Sequence, residues 1–123
     1  MRAGRLDLID SLALEQGSLF SIVATWKDDA DALINLTGYS ARMQLRKDYP
    51  SSAAVVDITE ANSGQGQLVL GGAAGTINIR IQDEHTATLD PGRYVYDLEV
   101  KASGGDWQRL LEGVADVMPE VTR

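Results

Sequence analysis

The sequence predicts an all-β protein, an immunoglobulin-like antiparallel β-sandwich of about eight strands, with a small β-barrel as the alternative. Three observations predict it. Apolar and polar residues alternate with period two in several segments. Glycine-rich turns separate those segments, and no βαβ spacing is present.

The cleanest alternation runs from Tyr39 to Arg46, with Tyr39, Ala41, Met43 and Leu45 on one face and Ser40, Arg42, Gln44 and Arg46 on the other. Thr76 to Gln82 repeats it, with Ile77, Ile79 and Ile81 inward. Gly92 to Lys101 repeats it again, with Tyr94, Tyr96, Leu98 and Val100 opposite Arg93, Val95, Asp97, Glu99 and Lys101. A helix would put residues i and i+2 on different sides, so these segments are strands. Weaker strands are expected at Ser11 to Glu15, Ser18 to Lys27, Ala54 to Thr59, Gln67 to Leu70 and Trp107 to Val117. Ser103-Gly104-Gly105-Asp106 is the strongest hairpin turn, joining the Tyr94 strand to the Trp107 strand. Only Gln82 to Leu89 suits a turn of helix, which Pro91-Gly92 ends.

With 123 residues the chain suits a single domain. We divide it into an N-terminal arm at residues 1–10, one sandwich domain at 11–118 and a C-terminal tail at 119–123. Its 44% hydrophobic and 24% charged residues are those of a folded domain. Eleven basic against 18 acidic side chains give a net charge of −7, which argues against a nucleic-acid partner. The chain has no cysteine, which removes disulfides, thiolate metal sites and cysteine nucleophiles. A single histidine, His85, removes any two-histidine metal site. The basic start Met1-Arg2-Ala3-Gly4-Arg5 is followed by Asp7, Asp10 and Glu15, so no signal-peptide apolar stretch forms. No run approaches the roughly 18 apolar residues that span a bilayer. The expectation is a protein made in the cytoplasm with no membrane partner. Asn35-Leu36-Thr37 matches a glycosylation acceptor, which has no meaning without secretion.

No cofactor or metal is expected. Asp28, Asp29 and Asp31 fail as a calcium loop, because Leu33 and Ile34 stand where a ligand and a glycine are needed. A solvated turn is the better reading. Gly64-Gln65-Gly66 and Gly71-Gly72-Ala73-Ala74-Gly75 precede strands rather than helices, so they are turns and not phosphate loops. His85 in Asp83-Glu84-His85-Thr86 has no nucleophile elbow to serve and reads as a surface residue of a polar turn. Trp26 and Trp107 invite comparison with a sugar-binding platform, but with 6% aromatics the core needs most of them. Arg42 and Arg46 face outward, where Asp97 and Glu99 can pair with them across a sheet. An enzyme is the weakest reading.

Five segments carry a resemblance to a known group. They are Leu36-Thr37-Gly38-Tyr39-Ser40-Ala41-Arg42-Met43-Gln44-Leu45-Arg46, Leu70-Gly71-Gly72-Ala73-Ala74-Gly75-Thr76-Ile77 and Leu89-Asp90-Pro91-Gly92-Arg93-Tyr94-Val95-Tyr96-Asp97-Leu98-Glu99, then Arg109-Leu110-Leu111-Glu112-Gly113 and Pro119-Glu120-Val121-Thr122-Arg123. Over roughly residues 18–123 the chain resembles small structural proteins encoded by tailed phages and prophages. The strand opened by Leu36-Thr37-Gly38-Tyr39 is also similar to N-terminal domains of baseplate and receptor-binding-protein adaptors.

The resemblance implies a non-enzymatic virion protein of the tail or baseplate, an adaptor connecting tail fibres to the baseplate, with a β-sandwich fold. Its implied partners are the baseplate wedge, a tail fibre and copies of itself. A capsid decoration (cement) protein is the first alternative and a host carbohydrate-binding module the second. The expected partner interface comprises Leu6, Leu8, Ile9, Trp26, Trp107, Pro119 and Val121, drawn from the two ends and the two tryptophans. The segment 1–10 has two readings of equal weight: an arm that adds a strand to a neighbour, or the first edge strand of the sandwich itself.

Overall fold

Period-two alternation leaves one apolar face per strand, and two such faces close on each other as layers around a common core. The computed structural model describes residues 4–50 and 53–121. Among these residues the strands are β1 (Gly4–Arg5), β2 (Leu14–Glu15), β3 (Phe20–Thr25), β4 (Ser40–Arg46), β5 (Ala54–Thr59), β6 (Gly66–Leu70), β7 (Thr76–Ile81), β8 (Gly92–Lys101) and β9 (Trp107–Met118). A single helical turn, α1 (Asp83–Thr86), lies between β7 and β8.

The large sheet has the order β1-β9-β8-β4-β5, with β2 also on β9, and the small sheet has the order β3-β7-β6. Two separate layers make a sandwich and not a closed barrel. Strands β3 to β9 take the places of strands B, C, C′, D, E, F and G of an immunoglobulin variable-type domain. Within this frame β3 to β9 pair antiparallel, whereas β1 and β2 run parallel to β9.

A second immunoglobulin feature sits at the start of β8. The Tyr94 hydroxyl donates to the Asp90 carbonyl at 2.7 Å. This is the tyrosine corner of such sandwiches, carried by the spacing Asp90-x-Gly92-x-Tyr94. Two residues on, where antibody domains have their second cysteine, stands Tyr96.

The core is formed by the expected faces: Ala41, Met43 and Leu45 of β4, Ile77, Ile79 and Ile81 of β7, and Tyr94, Tyr96, Leu98 and Val100 of β8 are all buried. Phe20, Val56, Ile58 and Leu68 join them. Helix α1 ties both layers at one end. Thr86, fully buried, donates through Oγ1 to the Ser18 carbonyl at 2.8 Å, and His85 Nε2 meets the Val55 carbonyl at 2.8 Å. The turn Gly72–Ala74 ends on Gly75 at φ 68°, with Gly72 at φ 61°, which explains the glycine cluster ahead of β7.

The N-terminal assignments need correction. Residues 4–8 do not project as an arm; they lie along β9 as the sheet's edge, so the edge-strand reading holds for them. Leu6 N–H donates to the Glu112 carbonyl at 3.0 Å, and Leu8 N–H donates to the Val114 carbonyl at 2.8 Å. Asp116 N–H returns a bond to the Leu8 carbonyl at 2.9 Å. The physical reason is the Leu6/Leu8 alternation, which drops the Leu8 side chain into the core at 0% exposure. The strand expected at Ser11 to Glu15 is mostly a 3₁₀ turn at Asp10–Leu12, with only Leu14–Glu15 paired. Asp10 takes φ 52° there, a left-handed conformation that lifts the chain off the edge before Leu14 returns to it. Residues 1–3 of the proposed arm and 122–123 of the proposed tail lie outside the described residues.

Candidate functional site

The outward residues of β4, β8 and β9 build a continuous polar face. Arg42 of β4 is in register with Glu99 of β8, and its Nε lies 2.7 Å from the Glu99 carboxylate. The same guanidinium sits 3.9 Å above the centre of the Trp107 ring, and Lys101 Nζ lies 5.9 Å from that ring. Arg109 reaches Asp97 at 3.5 Å and Glu112 at 3.6 Å. Further along, Arg93 grips Asp116 through Nε at 2.7 Å and Nη2 at 3.1 Å. These pairs lie at the surface, so what they fix is side-chain placement more than stability. Burial, and then the neighbouring Glu99 carboxylate, push the Asp97 carboxyl above its usual range, with Arg109 and Arg42 opposing the shift. The hydrogen bond from Arg93 holds the Asp116 carboxyl below its usual range.

A groove of about 420 Å³ crosses this face, lined by Gln44, Arg46, Tyr49 and Val95 together with Arg42 and Glu99. The arginine–carboxylate pairing foreseen for Arg42 and Glu99 is present. Arg46 instead donates to Gln44 Oε1 at 2.7 Å, and Asp97 takes Arg109.

Trp107 is not a core residue. A bulge places Leu98 opposite Leu111 and Glu99 opposite Arg109, so Leu110 is extra and the facing of β9 reverses there. Leu110 turns inward, while Trp107 and Arg109 turn out. Arg42 covers one face of the Trp107 ring. Trp26 is half-buried and meets Tyr39 edge-on, with ring centres 6.2 Å apart.

The seven residues expected at a partner interface are not gathered into one patch. Leu8 is inside the core and Leu6 is packed against it, so neither can be offered to a partner while β1 is docked. Ile9 is half-buried at the end of that stretch. Pro119 and Val121 follow β9 and are exposed. Between them Glu120 N–H donates to Gln16 Oε1 at 3.1 Å, and Gln16 Nε2 donates to the Leu89 carbonyl at 3.0 Å. The tail is therefore tied down as far as Glu120.

The remaining candidates have structural roles. Asp28 Oδ1 accepts from Ala30 N–H at 2.9 Å and Ala32 N–H at 3.0 Å, and Lys27 pairs with Asp31 at 3.5 Å, so the acidic cluster is a turn closed on itself. Among the described residues no three His, Cys, Asp or Glu side chains come together as a metal would require. No described helix is long and apolar enough to cross a membrane.

Two features escaped the reading of the sequence. Gly113 lies on β9 just past its pairing with β1, where a Cβ would press into the Leu6 carbonyl oxygen and stand 2.8 Å from Asp7 Oδ1. The other is the outer side of β3, which no described strand covers. Beside it runs a groove of about 640 Å³ lined by Gly4, Ala24, Trp26, Leu110 and Leu111. Neither a protein-family model nor a curated protein matches the chain.

Proposed function

We propose that the protein is a non-enzymatic structural subunit of a tailed-phage virion, located at the tail or baseplate as an adaptor that connects tail fibres to the baseplate. The observation that carries this reading is the run of segments resembling phage structural proteins, Leu36–Arg46, Leu70–Ile77 and Leu89–Glu99. In the fold these segments are the framework itself: β4, the turn from β6 into β7, and the tyrosine corner that opens β8.

The surface chemistry suits the same role. Its arginines, aspartates and glutamates on the large sheet are engaged with one another at fixed positions, as a docking face of defined shape requires. Mass spectrometry of purified particles, with gold-labelled antibody located by electron microscopy, tests the proposal. The expected result is label at the tail tip and a copy number matching the baseplate's symmetry. Absence from the particle overturns it, and hundreds of copies on the head replace it with a capsid decoration role.

A further inference from the structure

Strand β3 closes one side of the small sheet, and its pairing with β7 fixes which of its backbone groups point away from β7. Trp26 N–H donates to the Gly75 carbonyl at 2.7 Å, one step beyond the Thr25–Thr76 register pair. Backbone direction alternates along an antiparallel strand, so Phe20, Ile22, Ala24 and Trp26 turn their N–H and C=O groups toward β7. Ser21, Val23 and Thr25 turn theirs outward. All pairing by residues 4–15 is with β9, and no described strand takes up the outer side of β3.

The residues of this edge form a chemical palindrome about Val23. Ile22 and Ala24 flank it, Ser21 mirrors Thr25, and Phe20 mirrors Trp26. Two copies brought together antiparallel about a twofold axis at Val23 set outward groups against outward groups. Ser21 then faces Thr25 of the second copy, Val23 faces Val23, and roughly six backbone hydrogen bonds form. A one-residue slip would oppose outward with inward residues and form none.

Charge and shape favour a second copy as the occupant. The strand has no charged residue and no proline, the usual defences of an open edge. On the outer face of the small sheet, Ser21, Val23, Thr25, Gln67, Val69, Thr76 and Asn78 are uncharged and Arg80 is the one ion, although the chain carries −7. Two molecules of like net charge meet with least repulsion where carboxylates are missing. Val23 is 63% exposed, unusually high for an apolar residue in mid-strand. Ile22 of the second copy comes opposite Ala24, which lines the groove with Trp26, Leu110 and Leu111.

We propose that the free edge of β3 is a homodimer interface, joining the small sheets of two copies into one six-stranded sheet centred on the Val23 pair. This stands whether or not the protein belongs to a virion. One strand per copy makes a small interface, so association is reversible.

Light scattering on the full chain, with two variants, tests it. The measured mass should climb with concentration from 13.3 kDa toward twice that value. Val23→Lys sets two ammonium groups against each other and should hold the protein at one chain's mass with its unfolding transition unchanged. Because the chain lacks cysteine, Val23→Cys reports the contact directly. A hydrogen-bonded pair has Cα atoms about 5.5 Å apart, within disulfide reach. Mild oxidation should link Val23→Cys chains several-fold faster than Val69→Cys chains, whose substituted site lies on β6 of the same sheet. A wild-type mass of one chain at every concentration overturns the proposal. So does a dimer that survives Val23→Lys, or cross-linking at residue 23 no faster than at residue 69. If Val23→Lys fails to fold, the cysteine comparison decides alone.

Discussion

The Tyr96 hydroxyl donates to the Leu6 carbonyl at 2.5 Å, across 90 positions of sequence, and so pins the first residues of the chain to the middle of β8. Tyr96 is 3% exposed, and its ring spans the core beneath β9 to reach that carbonyl. Beside it, Asp7 Oδ1 accepts from Val114 N–H at 3.1 Å. Burial raises the Tyr96 hydroxyl pKa above its ordinary range, and the Asp7 carboxylate adds to the rise.

Tyr96→Phe should lower stability by about 1–2 kcal/mol, the cost of leaving a part-buried carbonyl without its donor. The effect has a pH signature. The folded protein holds the tyrosine proton more tightly than the unfolded chain does, so stability is complete below the unfolded pKa near 10 and falls as pH rises above it. Urea titrations at a series of alkaline pH values should show a shallower decline in the variant. Parallel curves for the two proteins would mean that Tyr96 does not contribute.

Leu8→Ala should cost about 2–5 kcal/mol, because the removed side chain is fully buried. Deleting residues 1–10 should cost more, since it also uncovers the backbone of β9. Denaturant midpoints measure both. A deleted protein that melts like the full chain would return this segment to the status of an accessory arm.

Gly113→Ala places a methyl group against the Leu6 carbonyl and Asp7. We expect a loss of about 1–3 kcal/mol from overpacking, with faster amide exchange and protease cleavage confined at first to residues 4–8. Unchanged exchange there would show that β9 shifts to make room.

How much of this was legible in the sequence differs by strand. β4, β7 and β8 were readable because one face of each meets the core and the other meets water, so alternation is strict. The hairpin through Gly104-Gly105 was readable from its turn residues. Trp107 was not, because a single extra residue at Leu110 reverses the facing of everything before it in β9, and counting back from Val117 assigns Trp107 to the wrong side. The N-terminal edge was half legible: Leu6 and Leu8 announce a strand, but its pairing is parallel and is interrupted at Asp10, which no local pattern reveals. The β3 edge depends on which described strands lie beside it, a property of topology and not of local sequence.

Arg42→Ala should leave stability within about 1 kcal/mol of wild type, because the cation and its Glu99 partner are solvated. In a Trp26→Phe background the remaining emission comes from Trp107, and losing the guanidinium 3.9 Å above its ring should change that emission measurably. Identical spectra would show that the stack is not populated in solution.

The parallel alignment of β1, Leu8 and β2 with β9 also governs how the molecule bears tension. The chain enters this pair at Gly4 and leaves it beyond Met118, at opposite ends of the paired strands. A pull on the two termini therefore runs along the strands and loads the bonds at Leu6, Leu8, Asp116 and Gln16 together, in shear. An antiparallel pair pulled from one end would instead peel open one bond at a time. The fold is thereby built to stay closed when stretched end to end, and it should yield far more readily to a force applied across the Gly104 hairpin.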